Sequence, residues 1–155
     1  MAVFYRIVGS HRATTALDGE GARKFGGRWN PAGVPVAYLT ESRALSALEI
    51  LVHFGRDVAK ASWKLVEIDI PEDLIEEISF SKLPKGWNDL SSPMVSKRLG
   101  ADWVEGAAAV ALLLPSAIIP EERIVMLNVR HPGISKIKSS KPVPFFFDPR
   151  LGGKQ

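Results

Sequence analysis

The 155-residue chain contains no cysteine, which excludes disulfides and thiolate metal sites and permits a reducing cytoplasm. Histidine is nearly as scarce: His11, His53 and His131 are widely separated and form no ligand-spaced pair, so no metal is expected. Long apolar runs are missing too. Ala107 to Leu114 is the longest, far short of the ~20 residues that span a bilayer. The opening MAVFYRIVGS lacks a basic region followed by an apolar core, so no signal peptide is visible. These absences point to a soluble, cytoplasmic protein with no membrane association.

Several motifs are absent as well. There is no Walker A spacing, and Gly19, Gly21, Gly26 and Gly27 do not make a GxGxxG that opens a helix. Ser116, in PSA, lacks the flanking glycines of a hydrolase elbow. The net charge of +3 and pI of about 9.3 are a mild excess, spread over Lys60, Lys64, Lys82, Lys97, Lys136 and others. A nucleic-acid footprint needs a denser stripe with interleaved aromatics, so direct nucleic-acid binding is not expected.

What the chain does have is an ordinary globular composition, 46% hydrophobic and 24% charged, over a length that suits one domain, residues 1–155. Val3 to Val8 reads as a strand in which Arg6 shares a face with Phe4 and Val8, placing that arginine at a sheet edge or in a cleft. Gly9 to Gly27 is polar and glycine-rich, a long loop that lines or covers a site. Val34–Leu39, Ser62–Ile70 and Ile124–Val129 read as strands, and Phe145–Phe147 as part of a last one. Ala107–Leu114 is ambiguous. Pro71–Ser79 reads as a short turn or helical piece, and Ser91–Leu99 as a helix ended by Gly100. Strands and helices mix without regular βαβ alternation, which argues for α+β.

The most informative stretch is Gly26 to Phe54, GGRWNPAGVPVAYLTESRALSALEILVHF. Asn30-Pro31-Ala32-Gly33 is a turn, and Thr40 or Ser42 can cap the helix that Gly55 stops. At about 100° per residue, Ser42, Ser46, Glu49 and His53 fall in a strip roughly 60° wide, while apolar residues wrap most of the rest and Arg43 lies outside the strip in the first turn. A helix apolar nearly all round is normally buried. Its central carboxylate must then face something polar.

Four residues could share one pocket. Arg28, after two glycines, has room to grip a phosphate or to form a surface ion pair. Tyr38, in an apolar strand, reads as a core aromatic with a bonded hydroxyl or as a site residue. Glu49 is either on a narrow exposed strip or on a cleft floor, with small Ser42 and Ser46 leaving space for a ligand. Ser116 reads as a turn residue or as a fourth site member.

GGRWNPAGVPVAYLTESRALSALEILVH, together with PSAIIPEERIVMLNVRHP and the closing FFFDPRL, resembles the RES domain family over essentially the whole chain. The resemblance implies the toxin half of a type II RES–Xre toxin–antitoxin pair. It implies a mixed or split β-sheet with flanking helices, related to ADP-ribosyltransferases, that acts on NAD as substrate with no cofactor. The arginine, glutamate and serine of the family match Arg28, Glu49 and Ser116, and its pocket tyrosine matches Tyr38. Arg6 and Ser46 join as further candidate NAD-binding positions. Three outcomes are compatible: NAD hydrolysis, phosphorolysis, or ADP-ribosyl transfer to a protein.

Each breaks the nicotinamide–ribose bond through an oxocarbenium-like state. On this reading Arg28 holds the pyrophosphate and Glu49 binds ribose hydroxyls and stabilises the developing charge. Tyr38 lies beside the nicotinamide ribose, and Ser116 positions the ribose or the amide. The implied partner is an Xre-type antitoxin covering the cleft, and a homodimer is compatible. The rivals are a non-catalytic binding module on the same fold and, more weakly, an RNA-cleaving toxin.

Overall fold

The computed structural model describes residues 1–152. Its sheet contains β1 (Ala2–Gly9), β2 (Val36–Thr40), β3 (Trp63–Ile70), β4 (Ile75–Glu77), β5 (Ala111–Pro115), β6 (Arg123–Asn128), β7 (Lys138–Ser139) and β8 (Val143–Phe145). The order is β4-β5-β6-β2-β1-β3-β7, with β8 also paired to β3. Only β4 and β5 run parallel among the described strands, so the sheet is mixed. With helices α1 (Glu20–Phe25), α2 (Arg43–Phe54) and α3 (Met94–Gly106) on it, this is the expected α+β architecture.

The sheet is split near its middle. β1 pairs with β3 along its whole length, and β2 with β6 likewise, but β1 and β2 meet in register only at Tyr5 and Thr40. Two residues further along, a continuous ladder would set Ile7 opposite Tyr38. Instead the Ile7 N–H donates to Ser46 Oγ at 3.1 Å, and the Tyr38 carbonyl accepts from Arg6 Nη1 at 2.7 Å. Buried backbone groups left unpaired are costly. Here two side chains satisfy the groups that the split exposes.

Strand alternation divides the core accordingly. On one face Phe4, Val8, Val66 and Ile68 from one half of the sheet pack with Ala37, Leu39, Val125 and Leu127 from the other. The opposite face carries two clusters. Val36, Leu112, Leu114, Ile124 and Met126 pack with Trp29, Trp87 and Leu45, while Ile7, Trp63 and Leu65 pack with Val58 and Phe147. Helix α2 straddles them: Leu45 enters the first, and Ala47, Ile50 and Leu51 lean on the second.

That placement corrects the expectation of a buried helix. Val52 is 59% and Phe54 51% exposed, and Ala44 is exposed as well. The polar strip turns toward the split and two apolar sides meet the two clusters, so the remaining apolar flank is left to solvent. The helix ends are as read, with Ser42 Oγ accepting the Leu45 N–H at 3.0 Å and Gly55 stopping the last turn at φ 56°.

Three other expectations change. The loop expected over Gly9–Gly27 is ordered into a 3₁₀ turn, Ser10–Thr15, and the short α1. Asp18 Oδ1 accepts the Glu20 N–H at 2.9 Å to start α1, which is too brief to show a 3.6-residue period. Within Pro71–Ser79 a 3₁₀ turn, Glu72–Leu74, leads into the edge strand β4. Gly100 does not end α3. A Cβ there would lie 1.6 Å from the Trp29 carbonyl oxygen, so this glycine marks the close approach of α3 to the chain beside Arg28.

Candidate active site

The split opens a cleft of about 450 Å³, within the range of small-molecule sites. Its walls include Arg6, Arg28, Tyr38, Ser46, Glu49 and His53. Every candidate from the sequence except Ser116 therefore reaches one cavity.

Arg28 rides on a loop built to hold it. The Asn30 side chain is fully buried, its Nδ2 directed at the carbonyls of Ala22, Pro31 and Val34 at 2.9, 3.1 and 3.1 Å. Asn30 Oδ1 accepts from the Tyr38 hydroxyl at 2.6 Å, and that hydroxyl accepts the Trp29 N–H at 3.1 Å. Gly27 must lack a side chain, because a Cβ would sit 2.8 Å from both Asn30 Oδ1 and a Tyr38 ring carbon. From α3, Ser96 Oγ donates to the Arg28 carbonyl at 2.6 Å. The guanidinium itself donates from Nη1 to the Asp89 carbonyl at 2.7 Å, leaving other N–H groups for a ligand.

Tyr38 thus has its hydroxyl committed to the Arg28 loop while its side chain lines the cleft. Burial pushes its pKa above the ordinary tyrosine value, so it stays protonated and keeps its donor bond.

Glu49 projects from the polar strip of α2 into the cleft, and its Oε1 accepts the Ser116 hydroxyl at 3.0 Å. Burial raises its pKa above the usual glutamate value; the Ser116 bond and the nearby His53 and Arg28 work against that rise. Ser116 is fully buried and stands behind Glu49. Its Oγ also accepts the N–H groups of Ile118 and Ile119 at 3.0 and 3.2 Å. The hydroxyl is fully engaged, so Ser116 is both the turn residue and the glutamate anchor, and it reaches the cleft through Glu49.

Arg6 is not at a sheet edge, since β1 lies between β2 and β3. It reaches into the cleft, bonded to the Tyr38 carbonyl. Ser46 is nearly buried, its hydroxyl committed to Ile7. Asn30, Ser96 and Gly100 were not singled out as site residues in the sequence. An Asn before Pro reads as any turn, and only the packed structure shows Asn30 as the hub under Arg28. Phe25 and Phe54, at the cleft wall, are exposed by 82% and 51% and likewise carried no sequence signal.

A half-buried carboxylate braced by a serine and an arginine on a braced loop thus line one cleft in a split sheet. The chain belongs to the RES domain family, whose model matches residues 3–148. It is 36% identical over 150 residues to Toxin Res of Photorhabdus laumondii, covering 96% of each chain. It is 37% identical over 153 residues to the Prs ADP-ribosylating toxin of a Sphingobium species, covering 96% of this chain and 95% of the relative. A 47-residue segment is 51% identical to the NAD(+) phosphorylase MbcT of Mycobacterium tuberculosis, covering 30% of this chain and 24% of that protein. One chain of the solved M. tuberculosis MbcT–MbcA toxin–antitoxin complex shares the fold, with TM-score 0.71 and 23% identity over 97% of this chain and 86% of that one.

Proposed function

We propose that this chain is a toxin that cleaves the nicotinamide–ribose bond of NAD, depleting the cytoplasmic pool and arresting growth. The observation that carries the reading is the Ser116-braced Glu49 carboxylate in a cleft that Arg28 also lines. In this scheme Arg28 grips the pyrophosphate, and ionised Glu49 lies under the nicotinamide ribose. As the C1′–N bond breaks, its electron pair leaves with neutral nicotinamide and positive charge grows on the ribose, where Glu49 stabilises it. An acceptor oxygen then bonds to C1′ and loses its proton. No general acid is needed for the leaving group, and NAD is substrate rather than cofactor.

Water and inorganic phosphate are the acceptors favoured here, the latter matching the name of the partial relative MbcT. A second reading, ADP-ribosyl transfer to a protein, is favoured by the full-length likeness to the Sphingobium toxin. The fold shared with a toxin–antitoxin complex supports an antitoxin partner for this chain, of Xre type on our reading.

The test is nicotinamide release from NAD by purified chain, with the product mass read in phosphate-free and phosphate buffers. Release by the parent, lost in Arg28→Ala, is the expected result. A folded parent that leaves NAD intact would return the chain to the binding-module reading, for which salt-dependent nucleic-acid affinity is the signature.

A further inference from the structure

When the acceptor is water, a proton must leave its oxygen as that oxygen bonds to C1′, and none of the roles assigned to Arg28, Tyr38, Glu49 and Ser116 receives it. The polar strip of α2 offers one more group. Ser46 at its foot is nearly buried, Glu49 is half-buried, and His53 in the last turn is exposed. The strip therefore climbs from the cleft floor to solvent.

Glu49 and His53 both line the cleft. Four residues apart on one helix face, they have Cβ atoms about 5–6 Å from each other, which leaves room for one oxygen between the side chains. Burial raises the Glu49 pKa, and the Ser116 bond, His53 and Arg28 in turn oppose that rise, so the two side chains feel each other. Other polar groups here are taken up by the fold. Ser46 is committed to the Ile7 N–H, the Tyr38 hydroxyl to Asn30, and the Ser116 hydroxyl to Glu49. Among the described residues none holds the His53 ring, which leaves its nitrogens to a ligand.

The charged side chains that share the cleft with Glu49 and His53 are Arg6 on β1, Arg12 on the 3₁₀ turn that follows, and Arg28. Guanidinium groups have no acceptor lone pair and take up no proton. Glu49 is engaged already, with Oε1 on Ser116 and its negative charge under the ribose. That leaves the imidazole.

We propose that His53 is the general base for a water acceptor, which makes hydrolysis the reaction this cleft is built for. The role rests on the NAD-cleaving reading. As nicotinamide departs with the electron pair of the C1′–N bond, a water between Glu49 and His53 bonds through oxygen to C1′. One of its protons passes to the unprotonated imidazole nitrogen, and the exposed ring releases that proton to solvent. The products are ADP-ribose, nicotinamide and a proton. Imidazole suits the task because histidine exchanges its proton near neutral pH. Inorganic phosphate arrives with an oxygen already ionised and needs no such base, so His53 acts on one acceptor and not on the other.

The test compares the products of the full-length parent and His53→Gln by mass, with and without phosphate in the buffer and with folding checked by thermal melt. Without phosphate, ADP-ribose formation should fall about 100-fold or more in His53→Gln. With phosphate, the ratio of ADP-ribose to its phosphorylated form should fall by a similar factor. Added imidazole should restore hydrolysis in His53→Ala in proportion to its unprotonated form. A ratio that does not move, a fall shared equally by both products, or a parent that cleaves NAD without making ADP-ribose from water overturns the role and leaves the NAD reading standing. A folded parent that leaves NAD intact overturns both.

Discussion

The Ser116 hydroxyl points at Glu49 Oε1 across 3.0 Å, joining the end of β5 to the middle of α2 over a separation of 67 residues. Three hydrogen bonds meet at that one oxygen, two from the backbone N–H groups of Ile118 and Ile119. The carboxylate on the polar strip of α2 is thereby given one fixed orientation.

Ser116→Ala should therefore cut kcat for nicotinamide release by about 10- to 100-fold, a loss of roughly 1.4–2.7 kcal/mol in the barrier, with KM little changed. The Ser116 bond lowers the Glu49 pKa, so its removal moves the acid limb of the rate profile to higher pH. A profile that keeps its position while kcat falls would make Ser116 a folding residue only.

Glu49→Gln should abolish turnover while raising thermal stability at neutral pH. The sign follows from the raised pKa: between the unfolded and folded values the native state holds more protons than the unfolded one, so stability falls as pH rises through that window. The gain in Tm, about 2 °C on the scale of 1 kcal/mol or less for a domain of this size, should fade as pH drops toward the ordinary glutamate value of about 4.3. Thermal melts across pH 4 to 8 would check it.

Asn30 and Tyr38 should separate stability from chemistry. Asn30→Ala leaves three carbonyls and the tyrosine hydroxyl without their partner, a cost of about 2–4 kcal/mol in denaturant unfolding. Tyr38→Phe keeps the ring, loses both hydroxyl bonds, and should cost about 1–2 kcal/mol. In the folded fraction of either variant, KM for NAD rises because the Arg28 loop loosens. Unchanged KM in both would detach this network from the site.

Gly100→Ala adds one methyl group and should be among the most damaging changes in the chain. The new carbon would meet the Trp29 carbonyl at 1.6 Å, which forces α3 off the Arg28 loop. A Tm loss of about 10 °C or more, or failure to accumulate folded protein, is expected, corresponding to about 3 kcal/mol or more. Gly106→Ala is the control, with open space around its Cβ position.

Much of this was legible beforehand, for physical reasons that can be named. Alternating apolar residues marked β1 and β3, a continuous apolar run marked β6, and a cap at Thr40 or Ser42 with the Gly55 stop bounded α2. The wheel geometry identified the strip that carries Glu49. What stayed hidden depends on distant packing. Gly100 looks like a helix stop because sequence shows its missing side chain and not the carbonyl filling that space. Asn30 looks like turn punctuation because its partners come from α1, β2 and the turn itself. The 3₁₀ turn and α1 are each six residues, below the length at which periodicity speaks. Helix α2 seemed destined for the interior because a wheel counts apolar positions and cannot know that two separate clusters would claim them.

The split between β1 and β2 has a consequence for control. With the Ile7 N–H on Ser46 and the Tyr38 carbonyl on Arg6, the gap is propped by side chains that belong to the chain itself, with no ligand required. A site built this way stands open before a ligand arrives, so binding need not break strand pairing. If the chain is the toxin proposed above, control falls to whatever can occupy that opening.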